Sequence, residues 1–133
     1  MNFNRASLIG YLGNNAEVKT ANNNKQYVVL SVATQNRWKD SNDEYQSRTE
    51  WHRVYGWGNL SRFAKTLQKG EHVFIEGEIR YREYNKEVGK GKSKEMVKMR
   101  VAEIHASNMM RLDPKAASTE ETAPATDEAP DFD

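Results

Sequence analysis

Alternating aromatic and charged residues in one stretch of the chain could perform recognisable chemistry. The stretch runs from Trp38 to Gly58 and contains all three tryptophans of the sequence. Successive side chains of a strand point to opposite faces, so the alternation predicts one shared row of side chains. The row consists of Tyr45, Ser47, Thr49, Trp51, Arg53, Tyr55 and Trp57. Because an unpaired guanidinium is costly to bury, Arg53 predicts that this row faces solvent.

Exposed ring faces beside a positive charge suit the unpaired bases and the phosphates of a single-stranded nucleic acid. The alternative is that these rings are ordinary packing, because aromatic side chains carry much of any protein core. The stretch by itself leaves both interpretations open, so the rest of the chain must decide between them.

Length and composition predict a single soluble domain. The chain has 133 residues, of which 29% are charged, and it has no cysteine. The missing cysteine excludes disulfides and thiolate sites and is consistent with a cytoplasmic protein. No apolar run approaches the ~20 residues of a membrane span, and the N-terminal sequence does not have the pattern of a signal peptide. We therefore expect a cytoplasmic protein without a membrane partner.

The net charge of +1 conceals two regions of opposite charge. Residues 113–133 contain seven acidic residues and one basic residue, whereas residues 1–112 contain 19 basic and 12 acidic residues. The basic region favours a polyanionic partner, although an ordinary solvated surface is the alternative. Residues 113–133 are rich in Ala, Thr, Pro and acids and have little apolar surface to bury, so we predict a disordered acidic tail.

The hydrophobic periodicity predicts five strands and one helix, with the helix after the third strand. The strands are expected at 3–13, 26–35, 45–57, 72–84 and 96–112, and the helix at 59–69. Asn59 is the expected helix cap and Gly70 the expected stop. This order is that of an OB-fold, an all-β barrel of five strands with one helix. In that fold an oligomer lies across strands 2 and 3, between the loops that connect strands 1 and 2 and strands 4 and 5.

Specific residues within these elements have predicted roles in the barrel. Gly10 and Gly13 predict a bulge, a bend or the close approach of another backbone. The expected core side of the second strand consists of Val28, Leu30, Val32 and Thr34, and the apolar stripe of the helix of Leu60, Phe63, Ala64 and Leu67. The same periodicities place the aromatic row on the third strand, within the expected ligand region.

Basic residues accompany the rings again near the fourth strand. One face of that strand ends in Arg80, Arg82 and Tyr84. Residues 85–95 form a predicted loop with four lysines, among them Lys90 and Lys92, which either contacts phosphates or is a solvated hairpin tip. The sequence Gly91-Lys92-Ser93 does not form a phosphate-binding loop, because Lys86 stands where that motif requires glycine.

No pattern of catalytic or metal-binding residues is present. The three histidines, His52, His72 and His105, lie far apart in the sequence and lack the spacing of metal ligands. A nuclease needs acids grouped around a cation, whereas these acids alternate with bases. We therefore predict no enzyme activity, no metal and no cofactor.

Four segments of residues 1–112 resemble the bacterial single-stranded DNA-binding protein family, of the replicative, homotetrameric type. The segments are Leu8 to Gly13 followed by Glu17-Val18, Trp38-Lys39-Asp40, Thr49 to Val54, and Lys69-Gly70 with Ile75 to Arg80. The resemblance implies sequence-independent binding and protection of single-stranded DNA during replication, recombination and repair. It also implies a homotetramer in the cytoplasm, associated with the nucleoid.

The resemblance also implies roles for individual residues. Bases would stack on Trp38, Trp51, Trp57 and Tyr84, while Arg53, Arg80 and Arg82 would contact the strand and His52 would lie near a subunit interface. Trp57 stands where phenylalanine is usual and Tyr84 where tryptophan is usual, and both keep a flat ring.

The tail of the family normally ends in acids followed by a Pro-Phe pair that docks replication and repair proteins. Here it ends in Asp131-Phe132-Asp133, which keeps the acidity and one phenylalanine but not the terminal Pro-Phe. Either the chain has been shortened or Phe132 is a weaker anchor for these partners. The alternative functions are a protein-interaction barrel, a nuclease and an RNA-binding protein, since a ring face does not read the 2′-hydroxyl.

Overall fold

Strands make up most of residues 1–113, the part of the chain that the computed structural model describes. The elements are β1 (Ala6–Leu12), β2 (Glu17–Thr20), β3 (Gln26–Lys39), β4 (Tyr45–Trp57), α1 (Asn59–Ala64), β5 (His72–Val88) and β6 (Glu95–Arg111). A 3-10 turn at Gly91–Ser93 lies between β5 and β6. The predicted tail lies outside the described residues from position 114 onward.

Strand β1 closes the sheet into a barrel. It pairs antiparallel with β5 along Ala6–Tyr11 and with β3 at Tyr11 and Leu12. Strands β3, β4, β6 and β5 pair in that order, so five strands form a closed ring, and β2 adds a short edge to β3. The barrel and its one short helix confirm the predicted OB-fold.

Closure brings two backbones close together at Gly10. A Cβ atom at this position would lie 2.2 Å from the carbonyl oxygen of Ala33 on β3. Only glycine can therefore occupy this crossing, which confirms the close approach predicted from the sequence. The same reason applies to Gly77, beside a bulge in the β5–β6 pair, where a Cβ would lie 2.2 Å from the His105 carbonyl oxygen.

The core fills the barrel as the periodicity predicts. Val28, Leu30 and Val32 are fully buried, whereas the fourth predicted member, Thr34, is only half-buried. The core also contains Leu12, Val54, Ala64, Leu67, Val73, Ile75, Ile104 and Met109, with Leu60 and Phe63 packed against it. Helix α1 thus contributes Leu60, Phe63 and Ala64 of the predicted apolar stripe, in contact with β3, β4 and β6, and Leu67 reaches the core from the segment after the helix.

The helix is shorter than predicted. It ends at Ala64 because the chain then tightens, and the backbone N–H groups of Thr66 and Leu67 bond carbonyls only three residues back. The Thr66 hydroxyl also donates to the Phe63 carbonyl at 2.7 Å, competing with a continued helix.

The predicted cap and stop of the helix are also wrong. Gly58 precedes the helix with a φ of 61°, and no side chain caps the first turn. Gly70 lies six residues beyond the last helical residue, with a φ of 91°. Its N–H donates to the Leu12 carbonyl at 2.8 Å and so connects the helical segment to β1.

Two strand pairs extend further than predicted and form long ribbons. Pairing of β3 with β4 continues to Lys39 opposite Tyr45, and that of β5 with β6 continues to Val88 opposite Glu95. Residues 85–88 and 95 of the predicted loop are therefore strand, and the loop itself is reduced to residues 89–94. The polar composition suggested a loop, but a ribbon satisfies its backbone groups by cross-strand hydrogen bonds while both faces remain in water.

Replacing Gly10 by alanine should destabilise the barrel at its closure. The added Cβ would meet backbone, which cannot move aside as a side chain can. We therefore expect the free energy of unfolding to fall by about 1–3 kcal/mol. Urea unfolding followed by circular dichroism measures this loss. The control is Ser7→Ala at an exposed position of the same strand, and equal stability of the two variants would contradict the closure argument.

Candidate nucleic-acid interface

Strand register determines which side chains share the outside of the barrel. Directly opposite residues of a strand pair lie on one face. Trp57 is opposite Tyr27 on β3, and Tyr55 is beside His105 on β6. The face continues from β6 to β5, and we call it the outer face. It contains Tyr27, Trp51, Arg53, Tyr55, Trp57, Arg80, Arg82, Tyr84, Glu103 and His105.

Three of the four predicted stacking residues lie on the outer face with accessible rings. Trp51 is 61% exposed, Trp57 39% and Tyr84 41%. Gly13 leaves room for the first of them, because a Cβ at Gly13 would lie 2.3 Å from the indole of Trp51. The ring of Trp51 therefore lies against the chain just beyond β1 and still presents surface to solvent.

Trp38 does not join these rings. Its register partner is Gln46, one residue out of phase with the row that contains Trp51, so it lies on the opposite face of the β3–β4 ribbon. Gln46 and Trp51 are five positions apart on β4, which is roughly 17 Å along the strand. Trp38 is exposed, but near the ribbon tip.

Tyr55 corrects the prediction that the whole aromatic row faces solvent. It is only 8% exposed although it lies on the outer face. Its ring stacks on His105 at 4.9 Å and on Tyr27 at 5.8 Å, and Tyr27 stacks in turn on Trp57 at 4.5 Å. These four rings form a series that we call the ring ladder. Tyr27 was missed because its place depends on the register between β3 and β4.

A buried carboxylate organises the arginines of the outer face. Glu103 is 4% exposed, and its Oε2 accepts hydrogen bonds from Nε and Nη2 of Arg82 at 3.0 and 2.9 Å. The Tyr55 hydroxyl donates to the same oxygen at 2.9 Å and accepts from Nε of Arg53 at 2.9 Å. Both guanidiniums are thus anchored at their Nε edges. No described residue bonds the Nη atoms of Arg53 or Nη1 of Arg82, which remain available to a ligand.

These contacts determine the charges of the cluster. Burial acts to raise the pKa of Glu103, but hydrogen bonds from Arg82 and Tyr55 and the charges of both arginines outweigh it and hold the pKa below its usual range. The hydrogen bond with Tyr55 raises the pKa of Arg53, and the hydrogen bond with Glu103 raises that of Arg82. One carboxylate and two guanidiniums therefore remain charged at neutral pH.

His105 is neutral at the end of the ring ladder. Burial is the main cause that lowers its pKa, and the charge of Arg80 acts in the same direction. Glu103 and Glu78 oppose this shift without reversing it. The imidazole therefore contributes a stacking surface rather than a positive charge above its usual pKa of about 6.5.

A groove of about 580 Å³ follows the ring ladder on the outer face. Its walls include Tyr27 and Trp57 on one side and Arg80 and Arg82 on the other. Arg80 lies 3.4 Å from Glu78, and that exposed ion pair leaves it accessible. The outer face thus combines open ring faces with cationic groups along a continuous depression.

The remaining predicted residues lie away from this groove. Lys90 and Lys92 lie at the tip of the β5–β6 ribbon and form no ion pair with any residue in the described range. His52 lies on the other face of β4, where its Nε2 is 2.9 Å from the Thr34 hydroxyl. The predicted tail residues Asp131, Phe132 and Asp133 lie outside the described residues.

Residues 1–113 lack two other kinds of feature. No group of three or more His, Cys, Asp or Glu residues in this range could hold a metal ion. No helix in the same range is long and apolar enough to cross a membrane.

The protein is a small closed barrel with aromatic rings and guanidiniums on its outer face. These features define the class of OB-fold proteins that bind an oligomeric ligand across the surface of their β-strands. The family model described as "Single-strand binding protein family" matches residues 3–112. The chain therefore belongs to the single-strand binding protein family, which confirms the resemblance seen in the sequence.

Individual relatives agree with this assignment. The chain is 39% identical over 83 residues to single-stranded DNA-binding protein 1 of Chlorobaculum tepidum, covering 62% of this chain and 51% of that protein. It is 36% identical over 110 residues to the single-stranded DNA-binding protein of Xylella fastidiosa, covering 82% of this chain and 63% of that protein. The chain spans about half the length of the first of these curated relatives.

Two solved structures share the fold. A Plasmodium falciparum SSB in complex with ssDNA superposes with a TM-score of 0.67 at 24% identity, over 85% of this chain and 97% of that one. A deletion mutant of the single-stranded DNA binding protein from Thermus aquaticus superposes with a TM-score of 0.65 at 22% identity, over 86% of this chain and 52% of that one. Because both sequence identities are below 25%, these two structures show only that the fold is shared.

Replacing Glu103 by glutamine should lower the free energy of unfolding at pH 7. The expected loss is about 1.5–3 kcal/mol, because hydrogen bonds to a charged group are replaced by bonds to a neutral amide. The folded state lowers the pKa of Glu103, so its stabilisation is present above the unfolded pKa and is lost as pH falls through the folded pKa. The difference between wild type and variant should therefore narrow below about pH 4.3.

Urea unfolding at several pH values measures both effects. Glu95→Gln is the matched control, since Glu95 is exposed on the same strand. A loss for Glu103→Gln no larger than that for Glu95→Gln would mean that the buried carboxylate does not hold the cluster together.

Proposed function

We propose that this chain binds single-stranded DNA independently of base sequence and protects it during replication, recombination and repair. The observation that carries the proposal is the outer face, where three open rings lie with two anchored guanidiniums. Family membership supports it, and so do the names of the relatives. Binding of this kind breaks no covalent bond and requires no metal or cofactor.

Stacking explains the preference for an unpaired strand. Bases of a duplex already cover one another, whereas a free strand can lay its bases on Trp51, Trp57 and Tyr84. Each base stacked on an aromatic side chain contributes about 1–3 kcal/mol with little dependence on which base it is. The groove beside the ring ladder gives a strand a path past Trp57 and along Arg53 and Arg82.

Phosphate contacts supply the second part of the affinity. The Nε edges of Arg53 and Arg82 are held within the cluster, so the Nη atoms of Arg53 and Nη1 of Arg82 can bind a strand without an added ordering cost. Each phosphate neutralised on a single strand changes the slope of log affinity against log salt by about −0.7. Arg80, Lys90, Lys92 and Trp38 are proposed as further contacts for a strand that continues along the two ribbons.

DNA rather than RNA is the proposed ligand because the named relatives bind single-stranded DNA. The rings themselves do not read a 2′-hydroxyl. The nuclease and the protein-interaction barrel receive no comparable support from the outer face. We also propose a location at the nucleoid and docking of replication and repair proteins through Asp131, Phe132 and Asp133.

Replacing Trp51 by alanine should weaken binding to oligo-dT while the barrel remains folded. The indole is mostly exposed, so its loss removes about 1–3 kcal/mol of stacking and little core packing. Fluorescence anisotropy of a labelled oligo-dT measures affinity, and circular dichroism measures folding. Phe3→Ala, at an exposed ring in the segment before β1, is the control and should cost much less affinity than Trp51→Ala. An unfolded Trp51→Ala variant that binds normally in its folded fraction would show that the ring is core.

An exposed apolar patch supports a homotetramer. Ile9 on β1 lies opposite Phe74 on β5, which lies opposite Met110 on β6, so the three side chains adjoin on the outside of the barrel. Ile9 is 58% exposed and Met110 is 51% exposed. Exposed apolar groups that adjoin across three strands are typical of association surfaces. We propose that a second copy of this chain covers this patch, with His52 near a further subunit contact.

Met110→Asp should dissociate the assembly, because a carboxylate would then be buried without a partner between subunits. Light scattering after size-exclusion chromatography measures the mass. The matched control is Met96→Asp, at an exposed methionine of the β5–β6 ribbon that lies outside the patch. An unchanged mass for Met110→Asp, or an equal fall for both variants, would contradict this assignment of the interface.

A further inference from the structure

The ring ladder ends in an open aromatic face. Tyr27 covers one side of the Trp57 indole at 4.5 Å with an interplanar angle of 18°. No other ring among residues 1–113 stacks on this indole. Because the ladder holds Trp57 from one side, its open side can receive a further flat group with little loss of side-chain freedom.

A separate groove lies against Trp57 beyond the ladder. It has a volume of about 520 Å³, which lies within the ~300–1,000 Å³ of typical ligand sites. Tyr27 is not part of its lining, whereas Lys25, Asn59, Ser61 and Arg62 are. The groove therefore extends from the outer face toward helix α1.

Both cations and one amide of this groove have no partner among the described residues. Lys25 and Arg62 are exposed, and neither side chain forms an ion pair with another residue of the described part. The Ser61 hydroxyl is occupied, since it donates to the Gly58 carbonyl at 2.6 Å. The Asn59 amide has no hydrogen-bond partner within residues 1–113 and can bond the edge of a base.

We propose that this groove adds a phosphate subsite to the stacking position at Trp57, so that the phosphate of the nucleotide stacked on the open indole face binds between Lys25 and Arg62. The site rests on the proposed function, because it extends the path of the same single strand around the barrel to α1. A base added to a series of four rings gains stacking, and two unpaired cations beside it complement the phosphate. Exposed cations are common on any solvated surface, but here Lys25 and Arg62 line the same groove as an open aromatic ring.

Charge removal inside and outside the groove tests the subsite. Arg62→Ser and Lys25→Ser remove cations that line the groove, whereas Lys65→Ser removes an exposed cation directly after α1 that does not. The dissociation constant for labelled oligo-dT is measured at several salt concentrations. Each groove variant should make the slope of log affinity against log salt shallower by about 0.7, which is about 2.6-fold between 50 and 200 mM salt. Lys65→Ser should leave the slope unchanged, and Arg62→Lys should restore it.

A second measurement tests whether ring and cation act together. In a Trp57→Ala background the effect of Arg62→Ser on affinity should shrink, because the base that presents the phosphate has lost its stacking partner. Equal slopes for Arg62→Ser and Lys65→Ser, or an Arg62 effect independent of Trp57, would overturn the subsite alone. Failure of the wild-type protein to bind oligo-dT would instead overturn the proposed function.

Discussion

The carboxylate of Glu103 is buried on the outside of a barrel, where charged groups normally remain in water. It is stable there because Arg82 and the Tyr55 hydroxyl both bond to it, and Arg53 is connected to it through Tyr55. Removing any one partner would leave the others less satisfied, so the four side chains behave as a unit. The orientation of the cationic part of the outer face depends on this unit.

The barrel supplies the rigid frame for that unit. Tyr55 and Glu103 lie on β4 and β6, which pair in parallel next to the core residues Val54 and Ile104. The same short parallel pairing brings His105 onto Tyr55 and thereby aligns the ring ladder. A surface that binds a flexible polyanion is therefore built on a packed core, and little of it needs ordering when a ligand arrives.

Local patterns predicted much of this molecule. Strict alternation predicted the bounds of β4 and the outward position of Trp51, and apolar periodicity predicted the burial of Val28 and Leu30. Features that depend on pairing between distant segments were not predictable. The bond between Tyr55 and Glu103 spans 48 residues, so nothing near either residue marked the glutamate as a partner.

The same limit applies to the face of Trp38 and to the extent of the lysine-rich strands. Trp38 is close in sequence to the other rings, but one residue of register places it on the opposite face of its ribbon. Lysine-rich composition indicated a loop at 85–95, yet exposed ribbons carry equally polar sequences because neither face is buried. Both features lie where strands extend past the core, and burial no longer constrains the sequence there.

The location of the bound strand is the central claim, and photo-crosslinking of the wild-type protein to oligo-dT tests it most directly. Mass spectrometry of the digested complex identifies which side chains become attached to thymine. Binding on the outer face predicts crosslinks at Trp51, Trp57 and Tyr84. Crosslinks confined to Phe74 and the strands around Met110, with none on the outer face, would contradict it.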